Sequence, residues 1–374
     1  MIIQEFVIQR SLAQMSKPLL IITNMGPKAS APVQGQFVTN QVNALSALQP
    51  AYFFMSWHND SLLNKLLKYP VWWLQFVWRY IFSRETYQIV HVHFYYPTIW
   101  LAWTYKYLRN PRVKIVVTFH GSDIYAYQPP SALYKCAAKV VDFFIFTSES
   151  LQQKFFNPAV PSMILPAGIH STFAESACNT QAQKPIDVLF VGTFDRNKGI
   201  DRLITLVESL PAVQFAVVGH GPLKMQLQAV AERCLNLRLL SSQSPEALKA
   251  YYEQAKCLLS LSRNESFGLV MTEAMACYTP VIATETDGSL AQIIEGQNGF
   301  SLVQHSESQL LDNLQATIQQ LLSLPASDYR QIQQACRTSA SFYFVDKIAE
   351  QLKNIYQQLQ RDLPAQPIKS ERTK

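Results

Sequence analysis

Two glutamates eight residues apart, in Glu265-Ser-Phe-Gly-Leu-Val-Met-Thr-Glu273, have the spacing in this chain best suited to chemistry. The apolar run Cys257-Leu-Leu-Ser-Leu-Ser262 precedes them and Pro280-Val-Ile-Ala283 comes after, so the stretch reads as strand, loop, helix, strand. Glu265 falls in the loop, Ser266 or Gly268 opens the helix, and Glu273 lies inside it. Open α/β sheets bind ligands at the carboxyl ends of their strands, where helix N-termini point unpaired N–H groups at anions. One carboxylate beside such a site and a second farther into the helix suit a nucleotide-linked sugar. The first can meet sugar hydroxyls and the second a ribose.

Three further strand ends carry polar residues. In Val191-Gly-Thr-Phe-Asp-Arg-Asn-Lys-Gly199, Gly192 allows a tight exit from a strand, and Arg196 and Lys198 put positive charge at the sheet edge. Preplaced cations there stabilise the charge that a departing diphosphate gains. Taken alone they read as solvated loop cations, but the strand–helix alternation that restarts here favours the diphosphate. In Val217-Val-Gly-His-Gly-Pro222, Gly219 lets a backbone approach a nucleotide closely, or the segment is a turn with Pro222 starting a helix. Val117-Thr-Phe-His-Gly-Ser-Asp123 ends a strand at His120, which can reach into a cleft, while Asp123 can accept hydrogen bonds from the loop; a structural histidine is the competing reading. The segment from Gly26 is longer than an ordinary strand-to-helix loop and brings Gly35 to the start of a helix over 36–48. Its amides then face a cleft, or the loop only connects.

Other chemistries find no support. His91-x-His93 shares one strand face but lacks further ligands, and no H-E-x-x-H, Asp-x-Asp or cysteine cluster occurs, so no metal and no cofactor is expected. Neither G-x-S-x-G nor G-x-x-x-x-G-K-[ST] is present. The six cysteines are scattered, as buried free thiols of a reducing compartment would be. The net charge of +6 splits into +8 over residues 1–174 and −2 over the remainder. No nucleic-acid motif accompanies the basic half, so nucleic acid is not expected as a partner. Residues 57–84 combine Trp57, Trp72, Trp73 and Trp78 with Lys65, Lys68, Arg79 and Arg84. This is the composition of an interfacial segment on an anionic membrane, or of an aromatic helix packed on a sheet with its cations reaching outward. No run reaches the roughly 20 apolar residues of a spanning helix, and no secretory signal is evident. The expected location is cytoplasmic, peripheral on the inner face of the cytoplasmic membrane if the first reading holds.

The elements that must position these groups alternate. Candidate strands lie at Leu19–Thr23, Ala51–Ser56, Ile89–His93, Lys114–Phe119, Asp142–Thr147 and Met163–Leu165, then at Asp187–Val191, Phe215–Val218, Leu237–Leu240, Cys257–Leu261 and Val281–Thr284. Helices near 200–210, 222–234, 245–255 and 266–277 intervene, and an amphipathic helix closes the chain from about Val345 to Gln360. This predicts an α/β protein with a domain over 1–172, a linker over 173–184, a second domain over 185–342, a helix over 343–362 that can pack back on the first domain, and a disordered tail over 363–374.

Together these segments resemble a retaining glycosyltransferase of glycosyltransferase family 4. The most specific string is Glu265-Ser-Phe-Gly-Leu through Glu273-Ala-Met-Ala and Thr279-Pro-Val-Ile-Ala. It is supported by His120-Gly-Ser-Asp123, Leu165-Pro-Ala-Gly168, Gly192 through Lys198-Gly199, and Gly219-His-Gly-Pro222. The resemblance implies the GT-B fold, two doubly wound Rossmann-like domains facing a central cleft, with an acceptor-binding N-terminal domain and a C-terminal domain for the nucleotide-sugar donor. By position it implies that Glu273 binds the donor ribose and that Glu265 contacts the transferred sugar. It further implies that the amides of Phe267, Gly268, Leu269 and Val270 approach the diphosphate, that Lys198 contacts it, that His120 lies near donor sugar and acceptor hydroxyl, and that Gly35 belongs to the acceptor-side loop. The implied reaction moves a sugar to a glycan or lipid-linked acceptor with retention, in cell-surface polysaccharide or glycolipid synthesis. Three departures stand out: Thr193 where many members have Arg, with Arg196 as a nearby substitute, and Ser289 and Gln292 where Gly and Glu are frequent. A nucleotide-sugar epimerase of the same fold and a non-catalytic nucleotide-sugar-binding partner are the alternatives.

Overall fold

A computed structural model of the chain describes residues 16–27, 34–56, 61–156, 159–178 and 184–361. Trp57, the loop residues 28–33 and the expected tail over 363–374 lie outside the described residues. The chain divides into two compact units. One takes in the described residues up to Phe146, then Phe155–Met163 and the chain from Ala349; the other takes in Thr147–Lys154 and Ile164–Ile348.

The first unit is built on a six-stranded sheet of β1 (Ser16–Thr23), β2 (Ala51–Phe54), β3 (Thr86–His93), β4 (Lys114–Phe119), β5 (Phe143–Phe146) and β6 (Ser162–Ile164), in the order β2-β1-β3-β4-β5-β6. The pairings β1–β2, β1–β3, β3–β4 and β4–β5 are parallel. Leu19, Leu20, Ile21 and Ile22 of β1 are all buried, as a strand covered on both faces requires. Aromatic rings fill much of this core; Phe119 and Phe146 stack at 4.8 Å.

The second unit repeats the plan with β7 (Ile186–Thr193), β8 (Phe215–His220), β9 (Leu237–Leu240), β10 (Ala255–Ser260), β11 (Val281–Thr284) and β12 (Gly299–Leu302), in the order β12-β11-β10-β7-β8-β9. All five pairings are parallel. Alternate residues serve opposite faces: Val188 and Phe190 join one apolar cluster, Leu189 the other. The order of each sheet reverses direction once, between β1 and β3 in the first and between β7 and β10 in the second. Those reversals open crevices at the carboxyl ends of these strands, the positions where such sheets receive ligands.

Beyond residue 185 the sequence expectation misses β12 and three helices, Asp287–Gln292, Glu307–Leu322 and Ala326–Ala340. It also places a linker over 173–184, yet Ser171–Glu175 forms a 3₁₀ turn and Phe173 is buried in the second unit's core. A single aromatic among small and polar residues anchors a stretch whose composition suggests a spacer. The expected first-domain boundary at 172 differs as well, because Thr147–Lys154 and the chain from Ile164 group with the second unit. The helix Val345–Arg361 begins in the second unit and continues in the first, where the Tyr356 hydroxyl lies 2.6 Å from His91 Nδ1.

Candidate functional site

At the crevice of the second sheet, β7 ends in Gly192 and Thr193, which pair in register with Gly219 and His220 of β8. The loop after β7 turns back through Asp195, whose carboxylate accepts from the Lys198 amide at 2.8 Å, and Lys198 Nζ forms an ion pair with Glu265 Oε2. Glu265 lies just beyond β10, so the pair spans the two strands that flank the reversal. The two loops are also stitched by backbone: Arg263 N donates to Asn197 O at 2.7 Å, and Asn197 Nδ2 to Asn264 O at 3.1 Å. Behind them Arg263 makes a two-pronged contact with Asp201 at 2.9 and 2.8 Å. Buried Arg202 pairs with Glu307 and donates to Leu261 O at 3.1 Å. Arg196 is exposed on the same loop.

Gly268 then opens the helix Leu269–Ala276 from the left-handed region, at φ 81°. A Cβ there would stand 2.9 Å from Glu265 Cγ and 2.7 Å from Met271 Cε, so glycine is needed both for the turn and for the room. Phe267 turns its ring inward, 5.3 Å from that of Tyr343, and its carbonyl accepts from Gln292 Nε2. Gln292 Oε1 accepts in turn from Thr272 Oγ1. Gln292 therefore ties the Glu265–Gly268 loop to the helix behind it, a task that needs an amide donor. Ser289 is wholly buried and caps the helix Asp287–Gln292 reciprocally with Thr286. Both departures from the common pattern thus have structural work within this loop cluster.

Glu273 sits one turn into the helix and is half-buried, accepting from the Tyr252 hydroxyl at 2.8 Å. Burial pushes its carboxyl up to about 7, against the lowering effect of the Tyr252 hydrogen bond. The helix ends where Arg337 donates to Ala276 O at 2.8 Å, a cation on terminal carbonyls. Tyr252, 21 positions away on another helix, leaves no trace in the local pattern around Glu273.

In the first unit the polar groups at the sheet edge are histidines. His91 stacks on His93 with ring centroids 4.4 Å apart, and His93 on His120 at 5.3 Å. His93 Nδ1 lies 3.1 Å from His120 Nε2, and His91 Nε2 lies 2.7 Å from Thr118 Oγ1. Burial holds all three well below the ordinary imidazole range, His93 at about 3. Asp123 is buried, and its carboxylate accepts from Tyr95 N at 2.9 Å and from His120 N and Gly121 N at 3.0 Å. Burial pushes it up to about 6 despite those amides. Gly35, at φ 73°, starts the helix Gln36–Ala44, and a Cβ on it would meet Met25 O at 2.4 Å. Phe37 on that helix lies 4.9 Å from His120, so the Gly35 and His120 segments converge.

Lys198, Glu265, Phe267, Gly268 and Gln292 are thus directly linked in one unit, with Glu273 on the same helix, while His120, Asp123 and the Gly35 helix meet in the other. A cavity of about 820 Å³ beside β2, bordered by Trp78, Arg79 and Phe82, contains none of them. Among the described residues no cluster of three or more His, Cys, Asp or Glu is arranged to hold a metal ion.

Residues 173–338 match the family described as Glycosyl transferases group 1, and residues 57–171 match Glycosyltransferase Family 4. The D-inositol 3-phosphate glycosyltransferase of Corynebacterium jeikeium is 38% identical over 141 residues, 33% of this chain and 33% of that protein. Its counterpart from Xylanimonas cellulosilytica is 30% identical over 223 residues, 56% of this chain and 50% of that protein. The chain thus spans a third to a half of the length of these relatives. Sucrose-phosphate synthase of Thermosynechococcus elongatus superposes with a TM-score of 0.73 over 92% of this chain and 99% of that one, at 20% identity. Anabaena Alr3699/HepE in complex with UDP gives 0.68 over 91% and 100%, at 15% identity. These two likenesses show the fold.

Proposed function

We propose that this chain, which belongs to the group 1 glycosyltransferases of the GT-B type, moves a sugar from a nucleoside diphosphate to a glycan or lipid-linked acceptor with retention of the anomeric configuration. The observation that carries the reading is the Lys198–Glu265 pair at the β7/β10 reversal, one loop away from the Gly268-capped helix that holds Glu273. Adjacent groups suit adjacent parts of one donor. Lys198 and the amides of Phe267 through Val270 take the diphosphate, Glu265 takes the hydroxyls of the transferred sugar, and Glu273 accepts from the ribose. Arg196 adds positive charge nearby, and Gly192 and Gly219 let the backbone come close to the nucleotide.

Binding of a diphosphate recruits Lys198 from its pair and frees Glu265 for the sugar. As the glycosidic bond lengthens, charge grows on the phosphate oxygen beside Lys198 and the helix N-terminus, where fixed dipoles stabilise it without reorganisation. The departing phosphate accepts the proton of the incoming hydroxyl on the same face of the sugar, which accounts for retention without a protein nucleophile. His120 acts on the acceptor side, with Asp123 and Gly35 fixing the loops around it. The synthesis of a cell-surface polysaccharide or glycolipid suits such an acceptor.

A thermal-shift panel of UDP, GDP, ADP and their sugars tests the reading. One nucleoside diphosphate series should raise the melting temperature, and incubation of that donor without acceptor should give no epimerised nucleotide sugar. Stabilisation by none of them, or an epimer from donor alone, contradicts it.

A further inference from the structure

The helix Leu62–Phe76 and its continuation Val77–Ile81 are apolar on two opposite faces. Trp72, Phe76 and Tyr80 point inward; Phe53 stacks on Trp72 at 5.5 Å, and Phe53 and Tyr80 meet edge to face at 5.4 Å. Two residues further along, half a turn round, a second stripe repeats at every fourth position or its multiple: Leu66, Leu74, Trp78 and Phe82 are 72%, 58%, 79% and 73% exposed. The inner stripe is explained by the core. Among the described residues nothing covers the outer one, and exposed apolar stripes of this kind mark an interaction surface.

Charge selects the partner. Residues 61–84 contain Lys65, Lys68, Arg79 and Arg84 and neither Asp nor Glu. Arg79 and Arg84 are exposed beside Trp78 and Phe82. A neighbouring helix, Tyr95–Leu108, is tied on by the Trp73 indole donating to Thr104 Oγ1 at 3.0 Å, and it too exposes apolar residues, Trp103, Tyr107 and Leu108. Tryptophan and tyrosine among cations, on a helix lying along the surface, match the headgroup zone of a bilayer. No described helix is long and apolar enough to cross a membrane.

We propose that the outer face of residues 66–84 seats the first unit on a bilayer rich in anionic phospholipid, with Trp78 and Phe82 entering the acyl boundary and Arg79 and Arg84 meeting lipid phosphates. The proposal does not depend on the donor reading, because the vesicles used to test it contain no sugar. The experiment is flotation of the full chain with vesicles of phosphatidylglycerol and phosphatidylcholine in equal parts, and with phosphatidylcholine alone. Wild type should float with the anionic vesicles and be released as salt rises. W78S/F82S should lose about a hundredfold in partitioning, since each exposed aromatic contributes on the order of a tenfold affinity, and R79E/R84E should lose the salt-sensitive part. Both variants change exposed residues, and unaltered melting temperatures would show that they fold. Absence of flotation with anionic vesicles at low salt, or equal flotation of W78S/F82S, overturns the proposal. So does a wild-type dimer that W78S/F82S dissociates while neither form binds lipid, since a second copy would then cover the stripe.

Discussion

At the edge of the first sheet the polar groups are three stacked histidines held neutral by burial; at the edge of the second they are Lys198, Glu265, Arg263, Asp201, Arg202 and Glu307, paired as ions. Both edges come from the same plan of parallel strands and intervening helices. The difference lies in the loops that leave the strands. In the second unit the loops after β7 and β10 are stitched to one another and present charge. In the first, His93 and His120 end adjacent strands and spend their hydrogen bonds partly on each other. A charged edge suits a diphosphate, and a neutral one, lined by Phe37 and Phe94 as well, suits a hydroxyl acceptor.

Glu265→Gln should break the charged edge most severely. It keeps the shape and removes the charge, so turnover should fall about a hundredfold or more, while calorimetric affinity for the nucleoside diphosphate stays nearly unchanged. Equal loss of both would dismiss the division of labour between Glu265 and Lys198. Gly268→Ala should come next. Its φ of 81° and the 2.9 Å approach to Glu265 Cγ predict roughly 1–2 kcal/mol of lost stability, read by urea denaturation, together with reduced turnover.

The two edges should respond to pH with opposite sign. His91, His93 and His120 bind protons more weakly when folded, so their contribution is present above the ordinary value of 6.5 and is lost as pH falls, for His93 down to about 3. Glu273 binds its proton more tightly when folded, so its contribution is present below 4.5 and is lost as pH rises through about 7. Hydrogen exchange resolved by peptide, after correction for intrinsic rates, should show β3 and β4 opening more readily in mild acid and the helix Leu269–Ala276 more readily in mild base. His93→Gln should flatten the first trend only; one shared trend in both units would refute the contrast. The smallest effect should come from Tyr252→Phe, which removes one hydrogen bond to Glu273. Donor affinity should drop several-fold, with turnover at saturating donor little changed.

Much of this contrast is legible in the sequence. Lys114–Phe119, Leu237–Leu240 and Val281–Thr284 fall where the apolar runs place them, because turn residues or polar loops bound each run. The α/β class and the strand–loop–helix around Glu265 come from the same alternation. β12 escapes notice because Gly-Phe-Ser-Leu is too short and too mixed to signal a strand. Partners that meet only through the fold are also hidden. Tyr252 reaches Glu273 from a separate helix, and Gln292 reads as an altered ligand position until its bonds to Phe267 and Thr272 are seen. His91-x-His93 stands without a neighbour in the sequence, and the third ring beside it, His120, is brought over by the β3–β4 pairing.

In the proposed reaction the charged edge of the second unit holds the donor diphosphate through Lys198. Calorimetric titration of the stabilising nucleoside diphosphate into wild type and Lys198→Ala tests it most directly. Wild type should bind, and the variant should have an affinity about tenfold or more lower; equal affinity for the two proteins would refute the role of Lys198.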